Sequence, residues 1–207
     1  MRAFIALELP EEIRTSLREN LVSDKIRTSL RENLVSGEIK KEIGKIQRDL
    51  KKAGVQARWV KPELSHLTLA FLGSITPEKG ELIEGILKKV ASQIKPVQLH
   101  LLKIGCFPSL TKARIVFVDL GGELGKLNAL AIKIRKQLKK EKIYFDKKPF
   151  VSHVTLGRIR KRQNLTLLIR KTKIKKVKFV ASEVSLTKST LTESGPIYKN
   201  LAIAKLR

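Results

Sequence analysis

Strand-like segments follow one another in pairs along this chain, and that order constrains the fold more than any other feature. Apolar runs of strand length near 56–60 and 66–72 stand together, as do those near 97–106 and 113–119. A doubly wound parallel sheet requires strands and helices to alternate, whereas adjacent strands are typical of antiparallel sheets. The segment order β-α-β-β-α-β-β-α-β-β-β therefore predicts an α+β fold built on antiparallel sheets.

Apolar residues at helical spacing predict the helices between these strands. Ser36-Gly37 indicates a break followed by a helix start, and this helix is expected to end at Ala53-Gly54. Thr76-Pro77-Glu78 combines a capping residue, a first-turn proline and an acid, so a second helix is expected to run to about residue 92. A third helix is predicted over residues 123–140. The remaining strand-like runs are 2–9, 150–159, 177–187 and 197–205.

A repeated segment lies near the N-terminus. The sequence IRTSLRENLVS occupies residues 13–23 and again residues 26–36, after a helix-start pattern at Pro10-Glu11-Glu12. At about 100° per residue, a spacing of 13 turns the second copy by roughly 220° from the first. The two apolar stripes would then face nearly opposite ways in one helix, so one copy is surplus to the core. A recent local duplication explains this repeat better than a functional motif does.

Positive charge dominates the composition. Lys and Arg number 44 against 19 Asp and Glu, which gives a net charge of +25. Such an excess points to a polyanionic partner, most simply nucleic acid, although a solvated lysine-rich surface is the alternative. The most basic stretches, residues 133–148 and 158–178, are the candidates for following a nucleic-acid backbone.

Several classes of protein are excluded or disfavoured by what the sequence contains. Cys106 is the single cysteine, so an intrachain disulfide and a multi-cysteine zinc site are excluded. The longest apolar runs have strand length, and the N-terminus does not have the pattern of a signal peptide. We therefore expect a cytoplasmic protein with no membrane partner.

Two of the three histidines stand in the same tetrapeptide pattern, His-x-Thr-Leu. The first motif places His66 and Thr68 in the apolar segment LSHLTLAFLG, and the second places His153 and Thr155 in FVSHVTLGRI, 87 residues later. Both segments have strand character, and residues i and i+2 of a strand point to the same face. Each histidine should therefore project together with its threonine, and two such strands brought together would line one cavity. His100 has no threonine partner and is expected to be structural or exposed.

Two imidazoles and two hydroxyls suit phosphoryl chemistry. A neutral imidazole can take a proton from an attacking water, while an imidazolium can give a proton to the leaving oxygen. The hydroxyls can donate hydrogen bonds to the non-bridging phosphate oxygens. The sequence shows no acidic metal cage, so we expect neither a metal ion nor another cofactor. The alternative is that each His-x-Thr pair is purely structural.

Five segments together carry a resemblance to a known family: RAFIALELPEEIR, RWVKPELSHLTLAFLG, GCFPS, KPFVSHVTLGRIR and EVSLTKSTLTESGPIYKNL. The chain resembles the 2H phosphoesterases, and within them the RNA 2′,3′-cyclic phosphodiesterases, also called the 2′-5′ RNA ligase family. The resemblance implies a bilobal α+β fold, in which two pseudo-symmetric lobes with antiparallel sheets face a central cleft. We expect residues 1–207 to form one such domain, with the duplicated helical segment inside it.

The same resemblance implies roles for individual residues. It assigns His66 as proton donor and His153 as proton acceptor, with Thr68 and Thr155 beside them, although the symmetry of the motifs permits the two histidines to exchange roles. Arg158 matches an arginine often found just past the second motif, where it would bind phosphate. Strict alternation places Arg158 on the face opposite His153 unless Gly157 marks a bulge.

The resemblance also implies a reaction and a partner. The reaction opens a terminal 2′,3′-cyclic phosphate of RNA to a 2′-phosphate. Fragments of tRNA are among the candidate substrates, and we expect the enzyme to be a monomer. Two alternatives stay open: a 2′-5′ RNA ligase that joins such an end to a 5′-hydroxyl end, and a non-catalytic RNA-binding protein. Five aromatic residues are candidates for stacking on a terminal base, although core packing is favoured for each: Trp59, Phe71, Tyr144, Phe150 and Tyr198.

Overall fold

The computed structural model describes residues 1–9, 24–193 and 195–207, and these contain nine strands and four α-helices. A single 3₁₀ turn, Pro62–Leu64, precedes the third strand. The elements in chain order are β1 (Arg2–Glu8), α1 (Asp24–Lys52), β2 (Ala57–Trp59), β3 (His66–Ser74), α2 (Pro77–Ala91), β4 (Val97–Phe107), β5 (Ala113–Gly122), α3 (Leu124–Lys140), β6 (His153–Gln163), α4 (Thr166–Lys171), β7 (Lys178–Ala181), β8 (Glu183–Thr192) and β9 (Gly195–Lys205).

The strands form two antiparallel sheets, one in each lobe, which confirms the predicted α+β class. The first sheet has the order β3-β1-β8-β9, and the second has the order β2-β6-β5-β4-β7. Each His-x-Thr strand pairs antiparallel with one long neighbour, β3 with β1 and β6 with β5, but β3 is an edge strand whereas β6 also pairs with the short strand β2. The chain passes between the sheets several times, so that β8 pairs with β1 although the two strands are far apart in sequence.

Three amphipathic helices bury the stripes that their sequences predict. The α1 stripe is fully buried and consists of Ile39, Ile43, Ile46 and Leu50. Burying each of these side chains contributes roughly 1.5–3 kcal/mol. Thr76 caps α2 and accepts a hydrogen bond from the backbone of Lys79, as the sequence predicts. In the described part of the chain, no helix combines the length and the apolar character that crossing a membrane would require.

Some predicted boundaries are wrong. Helix α1 continues through Ser36-Gly37, where a break was expected. An interior glycine costs only about 1 kcal/mol relative to alanine, which the buried stripe that begins at Ile39 outweighs. The run 177–187 is two strands rather than one, because the chain leaves one sheet after Ala181 and enters the other at Glu183. The short helix α4, within the basic stretch, was not predicted from the sequence.

Only the second copy of the repeat lies within the residues that the structure describes. The first copy, residues 13–23, lies outside the described residues, together with the helix start expected at Pro10-Glu11-Glu12. The backbone of the second copy, residues 26–36, belongs to the N-terminal part of α1. Among the residues of α1 whose side chains the structure describes, Gly37 and Ile39 are the first two that are buried.

Candidate active site

The two His-x-Thr motifs begin strands β3 and β6 and have the same pattern of exposure. In each strand the histidine and the threonine are half-buried, and the two aliphatic residues of the motif are buried. In both strands the next residue, Ala70 or Gly157, is also buried, and the residue after it, Phe71 or Arg158, is exposed. His66 therefore projects with Thr68 and His153 with Thr155, in the geometry that the period of a strand predicts.

A bulge follows Thr155 and decides where Arg158 points. The register between β5 and β6 shifts by one residue between Thr155 and Gly157, so that Leu156 is an extra residue in β6. An extra residue reverses the alternation of the side chains that follow it. Arg158 accordingly lines the same cavity as His153 and Thr155.

An equivalent bulge follows Thr68 in β3. The register with β1 shifts between Thr68 and Ala70, which leaves Leu69 as the extra residue. Phe71 therefore takes the place in this strand that Arg158 takes in the other, five residues after the histidine. Its ring is 49% exposed and lines the cavity. The two halves of the site thus present different groups at equivalent positions, an aromatic ring and a guanidinium.

A cavity of about 630 Å³ lies between the two motif strands. Its size suits one small ligand such as a nucleotide. Side chains from both sheets and from the segment before β6 form its wall: Thr68, Leu69, Ala70, Phe71, Phe107, Pro108, Arg114, Ile115, Arg135, Asp146, Lys148, Pro149, Phe150, Val151, His153, Thr155 and Arg158. Four of the five predicted site residues lie in this wall, whereas His66, half-buried at the start of β3, is not among the residues that line it.

Both imidazoles are oriented by the same hydrogen bond. The Nδ1 atom of His66 lies 2.9 Å from the carbonyl oxygen of Leu64, and that of His153 lies 2.8 Å from the carbonyl oxygen of Val151. A carbonyl oxygen only accepts, so Nδ1 carries a proton in each ring. The Nε2 atom is then the acceptor in the neutral form of each histidine and a donor in the charged form.

Aromatic rings hold the two histidines in place. The ring of His66 stacks on Phe4 at 4.6 Å between centroids and meets the edge of Tyr198 at 5.3 Å. His153 packs against the rings of Phe107 and Phe117 at 5.1 and 5.2 Å. Such contacts restrict the rotation of both imidazoles, so each Nε2 atom has a defined direction.

The five aromatic residues considered from the sequence have different surroundings. Phe71 and Phe150 line the cavity, whereas Trp59 packs against the core and Tyr144 is 69% exposed. Tyr198 is half-buried against the ring of His66. Core packing was favoured for Tyr198 from the sequence, because nothing in its local pattern indicates that β9 approaches the first motif.

The surroundings of the histidines lower the pKa of both. Burial is the main cause for His66, and the nearby carboxylate of Glu8 opposes it in part. Burial also lowers the pKa of His153, which Asp119 opposes and Arg158 reinforces. Glu8 and Asp119 are the direct cross-strand partners of the two histidines. Both rings are therefore mainly neutral at pH 7 in the free protein.

No metal site accompanies the histidines within the residues that the structure describes. Among them, no three His, Cys, Asp or Glu side chains come together in a way that would hold a metal ion. The independence of the reaction from metal ions stays a prediction. The groups present can bind an anion and move protons: two imidazoles, two hydroxyls and the guanidinium of Arg158, with Arg114, Arg135 and Lys148 also in the cavity wall.

Comparison with known proteins places this arrangement in a family. The family model described as LigT-like phosphoesterase matches residues 34–117 and 121–198, with one His-x-Thr motif in each match. This chain belongs to the LigT-like phosphoesterase family. Each match contains one of the two motif strands, and together the two matches cover more than half of the sequence.

Relatives and solved structures agree with this membership. The phosphoesterase is 32% identical over 205 residues to a protein of Archaeoglobus fulgidus named RNA 2′,3′-cyclic phosphodiesterase, covering 98% of this chain and 99% of the relative. It is 34% identical over 167 residues to a protein of Aquifex aeolicus with the same name, covering 76% and 88%. Its fold resembles that of a Thermus thermophilus protein, with a TM-score of 0.70 at 23% identity, covering 100% and 98% of the two chains. E. coli LigT in apo form gives a TM-score of 0.67 at 21% identity, covering 99% and 96%.

Proposed function

We propose that this phosphoesterase hydrolyses a terminal 2′,3′-cyclic phosphate of RNA to a 2′-phosphate and a free 3′-hydroxyl. The observation that carries this proposal is the pairing of two imidazoles with identical Nδ1 hydrogen bonds on the two strands that border one cavity. One neutral ring and one charged ring provide the base and the acid that such a hydrolysis requires. The names of the relatives from Archaeoglobus fulgidus and Aquifex aeolicus support RNA as the substrate.

His153 acts as the base. Its ring lies in the cavity wall, where water reaches it, and its Nδ1 proton is engaged by Val151. The free Nε2 atom takes a proton from a water molecule, and the oxygen of that water attacks the phosphorus atom. The Asp119 carboxylate, on the cross-strand partner of His153, stabilises the imidazolium that forms.

His66 acts as the acid. As the water attacks, the bond between phosphorus and the ribose 3′ oxygen breaks, and its electron pair moves to that oxygen. The Nε2 proton of His66 passes to the same oxygen and produces the 3′-hydroxyl. Binding the phosphate anion raises the pKa of this histidine, because a nearby negative charge favours the imidazolium. The greater burial of His66 suits this role, since the acid needs no contact with bulk water.

Three further side chains hold the phosphate. The hydroxyls of Thr68 and Thr155 lie in the cavity wall beside the two histidines and donate to the non-bridging oxygens. Arg158 supplies a charge-assisted, fork-shaped contact, for which a guanidinium is well suited. These groups act most strongly where negative charge develops on phosphorus, in the pentacoordinate transition state.

A cluster of exposed arginines supports a polynucleotide substrate rather than a free cyclic nucleotide. Arg160 and Arg162 follow Arg158 along β6, where a second register irregularity separates Arg158 from Gln163, and Arg58 of β2 lies directly opposite Arg158 in the sheet register. All three arginines of β6 are exposed. Such a cluster can contact the phosphates that precede the terminal nucleotide, and it gives a function to the excess of positive charge.

The proposal is tested by hydrolysis of a short RNA that ends in a 2′,3′-cyclic phosphate, in the presence of EDTA. His66→Ala and His153→Ala are compared with the native chain, and His100→Ala is the matched control because it removes the third histidine. We expect a 2′-phosphate product and a loss of about 10²–10⁴-fold in kcat for each motif variant, with little change for the control. No product from the native chain, or equal losses in all three variants, would refute the acid–base mechanism.

A substrate with a bridging sulfur at the 3′ position separates the acid from the base. A thiolate leaves without protonation, so His66→Ala should recover most of its activity on this substrate, while His153→Ala should not. The opposite result would exchange the two roles. Adding an RNA with a 5′-hydroxyl end to the same assay tests the ligase alternative, because a 5′-hydroxyl in place of water gives a 2′-5′ linkage. Salt-dependent RNA binding without turnover would favour the non-catalytic alternative.

A further inference from the structure

One buried amide ties the second motif strand to the segment that precedes the first motif. The side chain of Gln47 in α1 is buried, and its Nε2 atom donates to the carbonyl oxygens of Val60 at 2.6 Å and Leu156 at 3.0 Å. Val60 lies in the segment that precedes His66, and Leu156 follows Thr155. Gln47 therefore holds the segment that leads from β2 to His66 against the strand of the second motif.

One guanidinium makes the reciprocal contact from the other half of the chain. Arg135 in α3 donates from Nε to the carbonyl oxygen of Leu69 at 3.0 Å and from Nη1 to the carbonyl oxygen of Lys148 at 2.8 Å. Leu69 follows Thr68, and Lys148 lies in the segment that precedes His153. Each of the two side chains thus bonds the bulge residue of one motif strand and the approach to the other motif.

We propose that Gln47 and Arg135 are positioning residues that set the placement of the two His-x-Thr motifs relative to each other. Each side chain bonds one motif strand and the segment that leads to the other motif, and Leu156 and Leu69 are equivalent bulge residues, three positions after their histidines. Two backbone hydrogen bonds follow the same plan: Val60 donates to Leu156 at 2.9 Å, and Asp146 donates to Phe71 at 2.9 Å. We call the two side chains with their four carbonyl contacts the cross-braces.

The carbonyls of the first motif strand are suited to this task because that strand has a neighbour on one side only. The strand β3 is the edge of its sheet, so the carbonyl oxygens of Leu69 and Phe71 need donors from outside that sheet. Arg135 and the segment before β6 supply those donors. A shift in either cross-brace would therefore move a motif strand as a unit, including its threonine and its histidine.

The catalytic consequence follows from the reaction. The acid and the base act on opposite sides of one phosphorus atom and come from different lobes, so their separation depends on contacts between the lobes. A displacement of about 1 Å in such an arrangement costs about 100-fold in rate. Binding the phosphate depends less on the exact distance between the two histidines than the two proton transfers do. The loss of a cross-brace should therefore lower kcat more than it raises KM.

Arg135 requires a test that separates positioning from direct substrate binding, because it also lines the cavity. Its guanidinium lies 5.9 Å from the centre of the Phe150 ring, and Nε and Nη1 are both engaged by carbonyls. A lysine in its place keeps the charge but cannot donate in a fork to two carbonyls. A positioning role predicts that Arg135→Lys loses as much kcat as Arg135→Met, whereas direct binding predicts that lysine rescues KM.

The turnover experiment uses Gln47→Met, Arg135→Met and Arg135→Lys, with Lys136→Met as the matched control for charge on the same helix. Gln47→Asn, which keeps the amide but shortens the side chain, replaces Gln47→Met if the latter does not fold. We expect kcat on the cyclic-phosphate RNA to fall about 10–100-fold in the cross-brace variants, with KM within about threefold and an unchanged control. Unchanged kcat in folded variants, or rescue of KM by lysine, would overturn the proposal.

This inference rests on the proposed function for its kinetic readout, so a second measurement is independent of turnover. The chain has three histidines, and their ring proton resonances can be followed in an NMR titration with inorganic phosphate. In the native chain, His66 and His153 should shift together with one apparent Kd, while His100 should not respond. The cross-brace variants should keep that Kd within about threefold, but the ring proton shift of His66 or of His153 in the phosphate-bound state should differ from the native one.

The turnover assay and the NMR titration together distinguish a failure of the proposed function from a failure of the positioning role. A native chain that binds phosphate at both histidines but does not hydrolyse the RNA would refute the proposed function, and the NMR result would still decide the positioning role. Variants in which both histidines reach the native phosphate-bound shifts at the native Kd would refute the positioning role even if the native chain is an active hydrolase.

Discussion

Gly105→Ala is expected to impair catalysis from a position that no substrate touches. Gly105 in β4 lies directly opposite Phe117 in β5, and the Phe117 ring covers the space that a side chain would occupy. A Cβ atom at residue 105 would lie 2.5 Å from Cζ of Phe117, whereas ordinary contacts begin at 3.4 Å. The ring must therefore retreat by roughly 1 Å, at a cost of about 1–3 kcal/mol in stability.

The direction of that retreat links the substitution to the site. Phe117 is 5% exposed and packs against Phe107 at 4.3 Å and His153 at 5.2 Å between ring centroids. Displacement of the ring is thus transmitted to His153. Because a displacement of about 1 Å of a catalytic group costs about 100-fold, we expect kcat to fall by about 10–100-fold.

The assay measures kcat on the cyclic-phosphate RNA and the free energy of unfolding in guanidinium chloride. Gly85→Ala in α2 is the matched control, since a Cβ there meets nothing within 4 Å, and it should raise stability by up to about 1 kcal/mol with unchanged kcat. Phe117→Leu combined with Gly105→Ala should restore part of the activity by making room. A Gly105→Ala protein with native kcat would show that Phe117 retreats without moving His153, and would refute the reasoning.

Three other predictions concern the charges and the thiol. Both histidines have a lowered pKa, and the proposed mechanism requires one of them to be protonated. We therefore expect kcat/KM to decline as the pH rises above about 6.5, with its optimum on the acid side of that value. A flat pH profile between about 6 and 9 would contradict this. Replacing Arg160 and Arg162 together with glutamine should lower kcat/KM for an oligonucleotide, reduce its salt dependence by about 0.7 per lost phosphate contact, and leave a cyclic mononucleotide unaffected. Burial raises the pKa of the Cys106 thiol to about 11, so iodoacetamide at about pH 8 should label the protein only after unfolding, as mass spectrometry would show.

The local parts of this structure could be predicted because they depend on short-range periodicity. Apolar residues at helical spacing identified α2 and α3, and the capping residue Thr76 identified where α2 begins. The alternation within HLTL and HVTL predicted that each histidine projects with its threonine. Only residues close together in sequence take part in these patterns, so no knowledge of the sheet partners is needed.

The direction of the Arg158 side chain could not be predicted from short-range periodicity. Alternation alone places Arg158 on the face opposite His153, unless a bulge at Gly157 intervenes. A bulge is defined by the register against a partner strand, which is β5 here. The same holds for Phe71, whose equivalence to Arg158 becomes visible only when both bulges are known.

The sequence by itself determined where the two motifs stand, the class of the fold and the face on which each imidazole lies. The tertiary structure alone decided that β8 lies beside β1, that Tyr198 meets His66, and that Gln47 and Arg135 each bond one motif strand and the segment that leads to the other motif. The physical reason is that side-chain direction within one strand follows from the geometry of neighbouring residues. The distance between two strands follows from packing and hydrogen bonds between residues far apart in the chain, which leave no periodic pattern in the sequence.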